Sequence, residues 1–200
     1  MRNFRFYLVV FVLLLWPTQK AAAETATNFG TLSETWDAEI SPGGQNLALG
    51  CSPQGVRAIC IYDLIGNSKP KLIPAPAQAR LTGFYWATDQ YLLFSINFFE
   101  SFNTSSGIRR HRINRMMSYD LKTGKSVMLM RRAKAFTDTT QIESMLVDDD
   151  QHILMALALE EYVIYRVNLR TGKLKIVDRD VGKTVSAVFD EKGKRFANIQ

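Results

Sequence analysis

Few side chains in this 200-residue sequence have the type and spacing that catalysis requires. His111 lies among Arg109, Arg110 and Arg112 in a predicted loop, an unfavourable place for a general base, and His152 stands where a turn leads into a strand. The sequence contains no serine nucleophile elbow, zinc-binding helix motif, P-loop or dinucleotide-binding glycine motif. We therefore predict no catalytic residue and no cofactor-binding residue in this chain.

Two groups of potential metal ligands also fail the spacing test. Asp148, Asp149 and Asp150 are consecutive, whereas an EF-hand needs alternating ligands and a distal glutamate. Cys51 and Cys60 are the only cysteines, and two cysteines at this spacing do not make a zinc site. We predict no metal site.

The segment most suited to binding a partner is the long connection Asn97–Arg115. It combines aromatic and arginine side chains, which are typical anchors of interfaces, and a loop of this length without structure of its own is usually functional or disordered. We predict that it lies against a partner domain or at the mouth of the propeller that is predicted below. The alternative is a solvated basic loop above a small phenylalanine cluster. The candidate interface residues are Phe98, Phe99, Phe102, Arg109, Arg110 and Arg112.

The amino terminus has the features of a secretory signal peptide. Arg2 and Arg5 precede an uncharged apolar run at residues 6–16, and Ala21–Ala23 supplies small residues for cleavage, which we predict after Ala23. The run is too short for a permanent membrane span of ~20 residues, although an uncleaved anchor is the alternative. Subtracting the three charges of Arg2, Arg5 and Lys20 from the +6 of the whole sequence leaves +3. This modest charge does not indicate nucleic-acid binding, and we expect a periplasmic or secreted protein.

Export changes the interpretation of the two cysteines. A hairpin centred between Gly55 and Val56 would place Cys51 directly opposite Cys60, and some cross-strand pairs close a disulfide. An oxidising compartment favours the bond. The alternative is a pair of buried thiols.

The rest of the chain consists of short apolar runs separated by predicted turns, and this pattern predicts an all-β protein. The run Ile153–Leu159 also has helix-forming residues, but its length and place in a repeat favour a strand. Two units alternate. One is an aspartate or asparagine, a leucine and a glycine turn, at Tyr119–Lys125, Val167–Lys173 and, more loosely, Tyr62–Asn67; the other is a polar turn leading into an apolar strand.

The spacing of these units is near fifty residues and holds about four strands, which matches a β-propeller blade. Runs such as Tyr91–Phe94 are apolar on both sides, so both faces of the middle strands should be covered, as in stacked blades. An irregular β-sandwich is the alternative. We predict a signal peptide at residues 1–23, a polar leader at 24–37, and an incomplete propeller at 38–200 with about three four-stranded blades and the start of a fourth. We expect this chain to be the N-terminal part of a longer polypeptide.

Two stretches resemble the propeller of secreted bacterial peptidases of the prolyl oligopeptidase family (S9). Ala38–Leu49 is similar to the family's first strand pair, and Phe84–Leu93 to the opening of its second blade. The resemblance implies that an α/β-hydrolase domain with a serine, aspartate and histidine triad comes after the propeller, and that the propeller restricts entry to short peptides. No triad position falls within these 200 residues, so no catalytic residue is carried over.

The resemblance therefore implies the gating propeller of a secreted serine peptidase, whose partners are its own hydrolase domain and short peptide substrates. The alternative is a non-enzymatic periplasmic propeller of the WD40 or TolB type that serves as a protein-interaction scaffold. Whether the complete protein is an enzyme depends on the presence of a catalytic domain beyond Gln200.

Overall fold

The computed structural model describes residues 35–131, 138–158, 161–180 and 186–199. The predicted signal peptide lies outside them, as do residues 24–34 of the predicted leader, while the leader's residues 35–37 belong to the first strand. Among the described residues no helix has the length and apolarity that a membrane span needs. The described part is all-β, as predicted, with one 3-10 turn at Pro53–Gly55.

Four antiparallel sheets succeed one another along the chain, and in each of them consecutive strands pair. Sheet 1 contains β1 (Thr35–Ile40), β2 (Asn46–Cys51), β3 (Ala58–Asp63) and β4 (Lys71–Pro74). Sheet 2 contains β5 (Arg80–Trp86), β6 (Tyr91–Thr104), β7 (Gly107–Asp120) and β8 (Lys125–Met128). Sheet 3 contains β9 (Ile142–Ser144), β10 (His152–Ala158), β11 (Tyr162–Asn168) and β12 (Leu174–Asp180). Sheet 4 contains β13 (Ser186–Phe189) and β14 (Arg195–Ile199).

This organisation confirms the predicted division into three four-stranded units and the opening of a fourth, and it is consistent with a propeller-like fold. The run Ile153–Leu159 is a strand through Ala158, where its description ends. The tip of the following hairpin lies between Ala158 and Tyr162, which are paired.

In sheets 2 and 3 both faces of the middle strands are buried, because the sheets pack face to face. On β6, Leu92 and Phe94 join a core shared with sheet 1, whereas Tyr91 and Leu93 join a core shared with sheet 3. Sheets 3 and 4 share a third core around Tyr162. The apolar runs therefore lack alternation because a neighbouring sheet covers each face.

The repeated aspartate or asparagine unit forms the same turn in sheets 2 and 3, and a looser turn of the same kind in sheet 1. Asp120 accepts hydrogen bonds from the amide of Lys122 at 2.9 Å and the hydroxyl of Thr123 at 2.9 Å. Asn168 holds the turn after β11 in the same way. Gly124 comes next with φ of 68°, a left-handed conformation that favours glycine. The repeat is thus explained by turn chemistry at equivalent ends of β3, β7 and β11.

The turns also join neighbouring sheets. The amide of Gly43, between β1 and β2, donates to Asp89 Oδ1 at 2.7 Å, and Asp89 lies between β5 and β6. The Trp86 indole donates to the carbonyl of Glu39 at 3.0 Å. These contacts bring the β1–β2 and β5–β6 turns to one end of the two sheets, so the β2–β3 and β6–β7 turns lie at the opposite end.

Candidate functional site

The segment predicted as a long unstructured connection is in fact a β-ribbon, so that expectation was wrong. β6 and β7 have 14 residues each and pair without interruption from Tyr91↔Asp120 to Thr104↔Gly107. We call residues 97–114 the extension; its first pairs still contact the core, through Phe98 and the buried Ile113, and beyond them the ribbon leaves the packed part of sheet 2. Sequence reasoning missed it because a ribbon without neighbouring sheets has no two-sided apolar pattern to mark it as a strand.

Strand alternation separates the predicted interface residues onto two faces of the extension. Phe98 and Phe102 lie on the face that continues towards sheet 1; Phe98 packs against the core there, and Phe102 contacts the ring of His111, with centroids 5.9 Å apart. Arg109 is paired with Phe102 and is exposed.

The remaining three candidate interface residues lie on the other face of the extension. Phe99 is 55% exposed, and the guanidinium carbons of Arg110 and Arg112 each lie 5.3 Å from its ring centre. Such contacts between arginine and aromatic rings are favourable at exposed sites by about 0.5–1 kcal/mol. The structure therefore brings Phe99, Arg110 and Arg112 together and places Phe98, Phe102 and Arg109 on the reverse side.

The base of the extension is held by a residue that the sequence did not identify. Asp138 accepts hydrogen bonds from the Asn114 amide at 2.8 Å and from its side-chain Nδ2 at 3.0 Å. Thr139 forms a bridge with Arg115, which is buried, and burial lowers the pKa of this guanidinium. The segment at 138–139 thus adds to the edge of β7 where β8 has ended. An isolated Asp-Thr pair carries no sequence signal for such a contact.

The tip of the extension is a two-residue turn at Ser105 and Ser106. The Thr104 hydroxyl donates to the carbonyl of Gly107 at 2.6 Å, and Arg109 donates to the Ser106 hydroxyl at 3.4 Å. Gly107 has φ of 113°, which glycine adopts at low cost. The tip is therefore closed by local polar contacts.

Cys51 and Cys60 form a disulfide with Cα atoms 6.0 Å apart. The predicted register was wrong: Cys51 pairs with Ala58 and Cys60 pairs with Leu49. The 3-10 turn shifts the centre of the hairpin towards the amino terminus, so the cysteines are diagonal neighbours on one face of sheet 1. Their role is structural, at the β2–β3 end of that sheet.

His152 was interpreted as a turn residue, and the structure adds a network around it. Its Nδ1 lies 3.0 Å from Asp149, and its Nε2 lies 3.2 Å from Nδ2 of Asn168. Arg166 also forms an ion pair with Asp149. Burial opposes ionisation of Asp149, but hydrogen bonds from Arg166 and His152 outweigh it and lower the pKa of the carboxyl to about 2.

The same carboxylate lines a cavity of about 310 Å³ between sheets 3 and 4, together with Leu146, Leu154 and Lys192. Lys192 is paired with Asp148 at 3.1 Å. Across the described residues no group of three or more histidine, cysteine, aspartate or glutamate side chains is arranged to hold a metal ion. Neither histidine was predicted to bind a metal, and this network is explained by turn and ion-pair contacts.

Comparisons with known proteins reveal structural likeness only. No protein-family model matches the sequence, and no curated protein matches it. Among solved structures, dipeptidyl peptidase 4 of Porphyromonas gingivalis aligns over 86% of this chain with a TM-score of 0.56 and 10% identity. This chain spans about a third of that protein, 33% of its length. At this identity the likeness shows a shared fold.

Two further structures align less well. The isopeptidase AtxE2 aligns over 77% of this chain and 34% of its own at 13% identity, with a TM-score of 0.34. A functionally unknown protein from Desulfotomaculum acetoxidans DSM 771 aligns over 80% of this chain and 59% of its own at 13% identity, with a TM-score of 0.30. These TM-scores are too low for a shared fold to be inferred from them.

Proposed function

We propose that this chain is the propeller-like part of an exported serine peptidase of the prolyl oligopeptidase type. In this proposal an α/β-hydrolase domain of the same polypeptide performs the chemistry, through an acyl-enzyme formed at its serine. The sheets described above precede that domain in the chain, cover its active site and restrict entry to short peptides.

The observation that carries the proposal is the succession of four-stranded antiparallel sheets packed face to face. The chain order of the strands is the same in sheets 1, 2 and 3, and the fold aligns with a protein named as a dipeptidyl peptidase over 86% of this chain. Fold alone does not determine function. The peptidase proposal therefore combines this likeness with the sequence resemblance at residues 38–49 and 84–93.

Face-to-face packing also supports a gating role on physical grounds. The sheets are joined by buried cores and by turn contacts such as Gly43 to Asp89 and Ser144 to the carbonyl of Asp190. Close-packed interiors have low compressibility, so a stack held together in this way should move as one unit. It would exclude folded proteins and admit extended peptides only through an opening of fixed size.

The test is to read the coding sequence beyond the codon for Gln200 and to treat the whole gene product with a fluorophosphonate probe for active serines. We expect G-x-S-x-G, then an aspartate, then a histidine, and labelling that is lost when the elbow serine is replaced by alanine. The whole product should hydrolyse chromogenic dipeptides and leave folded proteins intact, whereas the 200-residue chain should hydrolyse neither.

Two results would refute the proposal. A reading frame that ends after more strand repeats, without the elbow motif, would instead favour the interaction scaffold. Turnover of a chromogenic dipeptide by the 200-residue chain itself would mean that the catalytic residues lie here and not in a later domain.

A further inference from the structure

Between Phe99 and Arg112, the extension has one face on which all side chains are exposed. Strand pairing places two apolar residues, two arginines and two small polar residues there. Ile108 is 74% exposed and Phe99 is 55% exposed. This open face consists of Phe99, Ser101, Asn103, Ile108, Arg110 and Arg112.

The charged side chains of the open face are all positive. The sequence has no aspartate or glutamate between Ser101 and Tyr119. Glu100 lies on the reverse face, where it pairs across the ribbon with His111. No carboxylate in the described ranges forms an ion pair with Arg110 or Arg112. The open face is therefore complementary to a surface that carries negative charge.

Among the described residues, the part of the extension beyond Phe98 projects past the packed sheets. Six residues from Phe99 to Thr104 extend the ribbon by ~20 Å at ~3.4 Å per residue. The equivalent β2–β3 turn of sheet 1, at the same end, spans only the six residues between the paired Cys51 and Ala58. The open face lies on the side of sheet 3, where the β10–β11 ladder has seven residue pairs against fourteen in β6–β7. A flat surface that approaches from this end therefore meets the ribbon before it meets the described parts of sheets 1 and 3.

The size of the open face favours a lipid surface over a protein. A stable protein interface buries roughly 800 Å² on each partner and uses about 20–30 residues a side, whereas this face has six and no concavity. Binding to an anionic bilayer needs no such core, because each arginine near the surface strengthens it about fivefold. Guanidinium groups bind phosphate oxygens in a bidentate manner, and aromatic side chains are enriched at the level of lipid headgroups.

We propose that the open face of the extension binds peripherally to an anionic phospholipid surface. Arg110 and Arg112 contact lipid phosphates while remaining stacked on Phe99, and Ile108 enters the headgroup layer near the tip. The extension would thereby hold the exported protein against the membrane. This inference does not depend on peptidase activity.

The test uses the full chain with Ile108→Trp as a local fluorescent probe. Vesicles of equal parts phosphatidylglycerol and phosphatidylcholine should shift the difference emission of the introduced tryptophan to shorter wavelength, and brominated lipid should quench it. Vesicles of phosphatidylcholine alone should do neither. Because the apolar run at residues 6–16 can bind vesicles in every variant, a matched Val177→Trp probe on sheet 3, which should not shift, isolates the contribution of the extension.

The charge requirement is tested by adding Arg110→Gln/Arg112→Gln to the Ile108→Trp variant. Loss of two arginines should weaken the membrane contact of the extension, read from the emission of the introduced tryptophan, about 25-fold. The control Lys122→Gln/Lys125→Gln removes two exposed charges from the other end of sheet 2 and should leave binding within about twofold, since these charges lie beyond the Debye length from the surface.

Three results would overturn the inference. The first is no emission shift with phosphatidylglycerol vesicles, which would leave an acidic protein surface as the complementary partner. The second is an equal shift with both kinds of vesicle. The third is an equal loss of binding in the arginine and lysine pairs; unchanged far-ultraviolet circular dichroism in each variant shows that the loss is not unfolding.

Discussion

Replacing Asp149 by asparagine should destabilise sheet 3 in a pH-dependent way. The carboxylate lies 3.0 Å from His152 Nδ1, is paired with Arg166, and accepts the amide of Gln151 at 3.1 Å. Its side chain is only 20% exposed. Asparagine keeps an acceptor for the Gln151 amide but cannot pair with the guanidinium, so the change removes the charge and little else.

The magnitude can be worked from the pKa of the carboxyl, which the fold lowers from its ordinary 3.8 to about 2. At ~1.4 kcal/mol per unit, the ionised form is stabilised by at most about 2–3 kcal/mol. Because Arg166 is 45% exposed and solvent screens it, we expect about 1–2 kcal/mol. A lowered folded-state pKa gives stability that is present above the unfolded-state value and is lost as the pH falls through the folded-state value.

Urea unfolding followed by circular dichroism, at intervals between pH 7 and pH 2, measures this directly. The gap between the native protein and Asp149→Asn should be constant from neutral pH to about pH 5, shrink from about pH 4, and close near pH 2. Asp150→Asn is the matched control, because that neighbouring carboxylate is exposed, and it should change stability by less than ~0.5 kcal/mol. A gap that is independent of pH, or an equal effect at Asp150, would refute the ion-pair explanation.

Two further changes test a contact between sheets 3 and 4 and the disulfide within sheet 1. Tyr162→Phe should lower the free energy of unfolding by about 1–2 kcal/mol, because the buried hydroxyl donates to Glu143 at 2.8 Å and accepts the Ala187 amide at 3.3 Å. Denaturant titration measures this free energy, and no change would mean that the two hydrogen bonds contribute nothing net to stability. Cys51→Ser/Cys60→Ser should lower the free energy of unfolding by about 2–3 kcal/mol, because it frees a short loop in the unfolded state. A reducing agent should lower the stability of the native protein by a similar amount and leave the double variant unchanged. An effect of the reducing agent on the double variant would contradict the assignment of this stability to the disulfide.

The sheets themselves could be predicted from the sequence because two independent signals agreed. Asp120 and Asn168 mark turns through bonds to their own backbone, which depend only on neighbouring residues. Apolar runs such as Leu92–Phe94 indicate strands covered on both faces. Both signals are local, so the strand units and their order were readable without any long-range information.

The register of the β2–β3 hairpin and the long-range contact at the base of the extension could not be predicted from the sequence, for different physical reasons. The Cys51–Cys60 hairpin was placed two residues out of register because a 3-10 turn at Pro53–Gly55 replaced the symmetrical turn that was assumed. The pairing of Asp138 with Asn114 joins residues 24 apart in sequence, and nothing local to either residue indicates it. Long-range pairing of this kind is determined by tertiary contacts.

The end of core packing just beyond Phe98 on β6 explains where the arginines of the extension lie. Up to that point each face of β6 is covered by a neighbouring sheet, so a charge there has to be buried, as Arg115 is on the paired strand, and buried charge is costly. Beyond it the backbone ladder keeps the ribbon extended, and the side chains no longer have to fill a core. Arg109, Arg110 and Arg112 all lie in this exposed part, where charged side chains remain in contact with solvent and carry no burial cost.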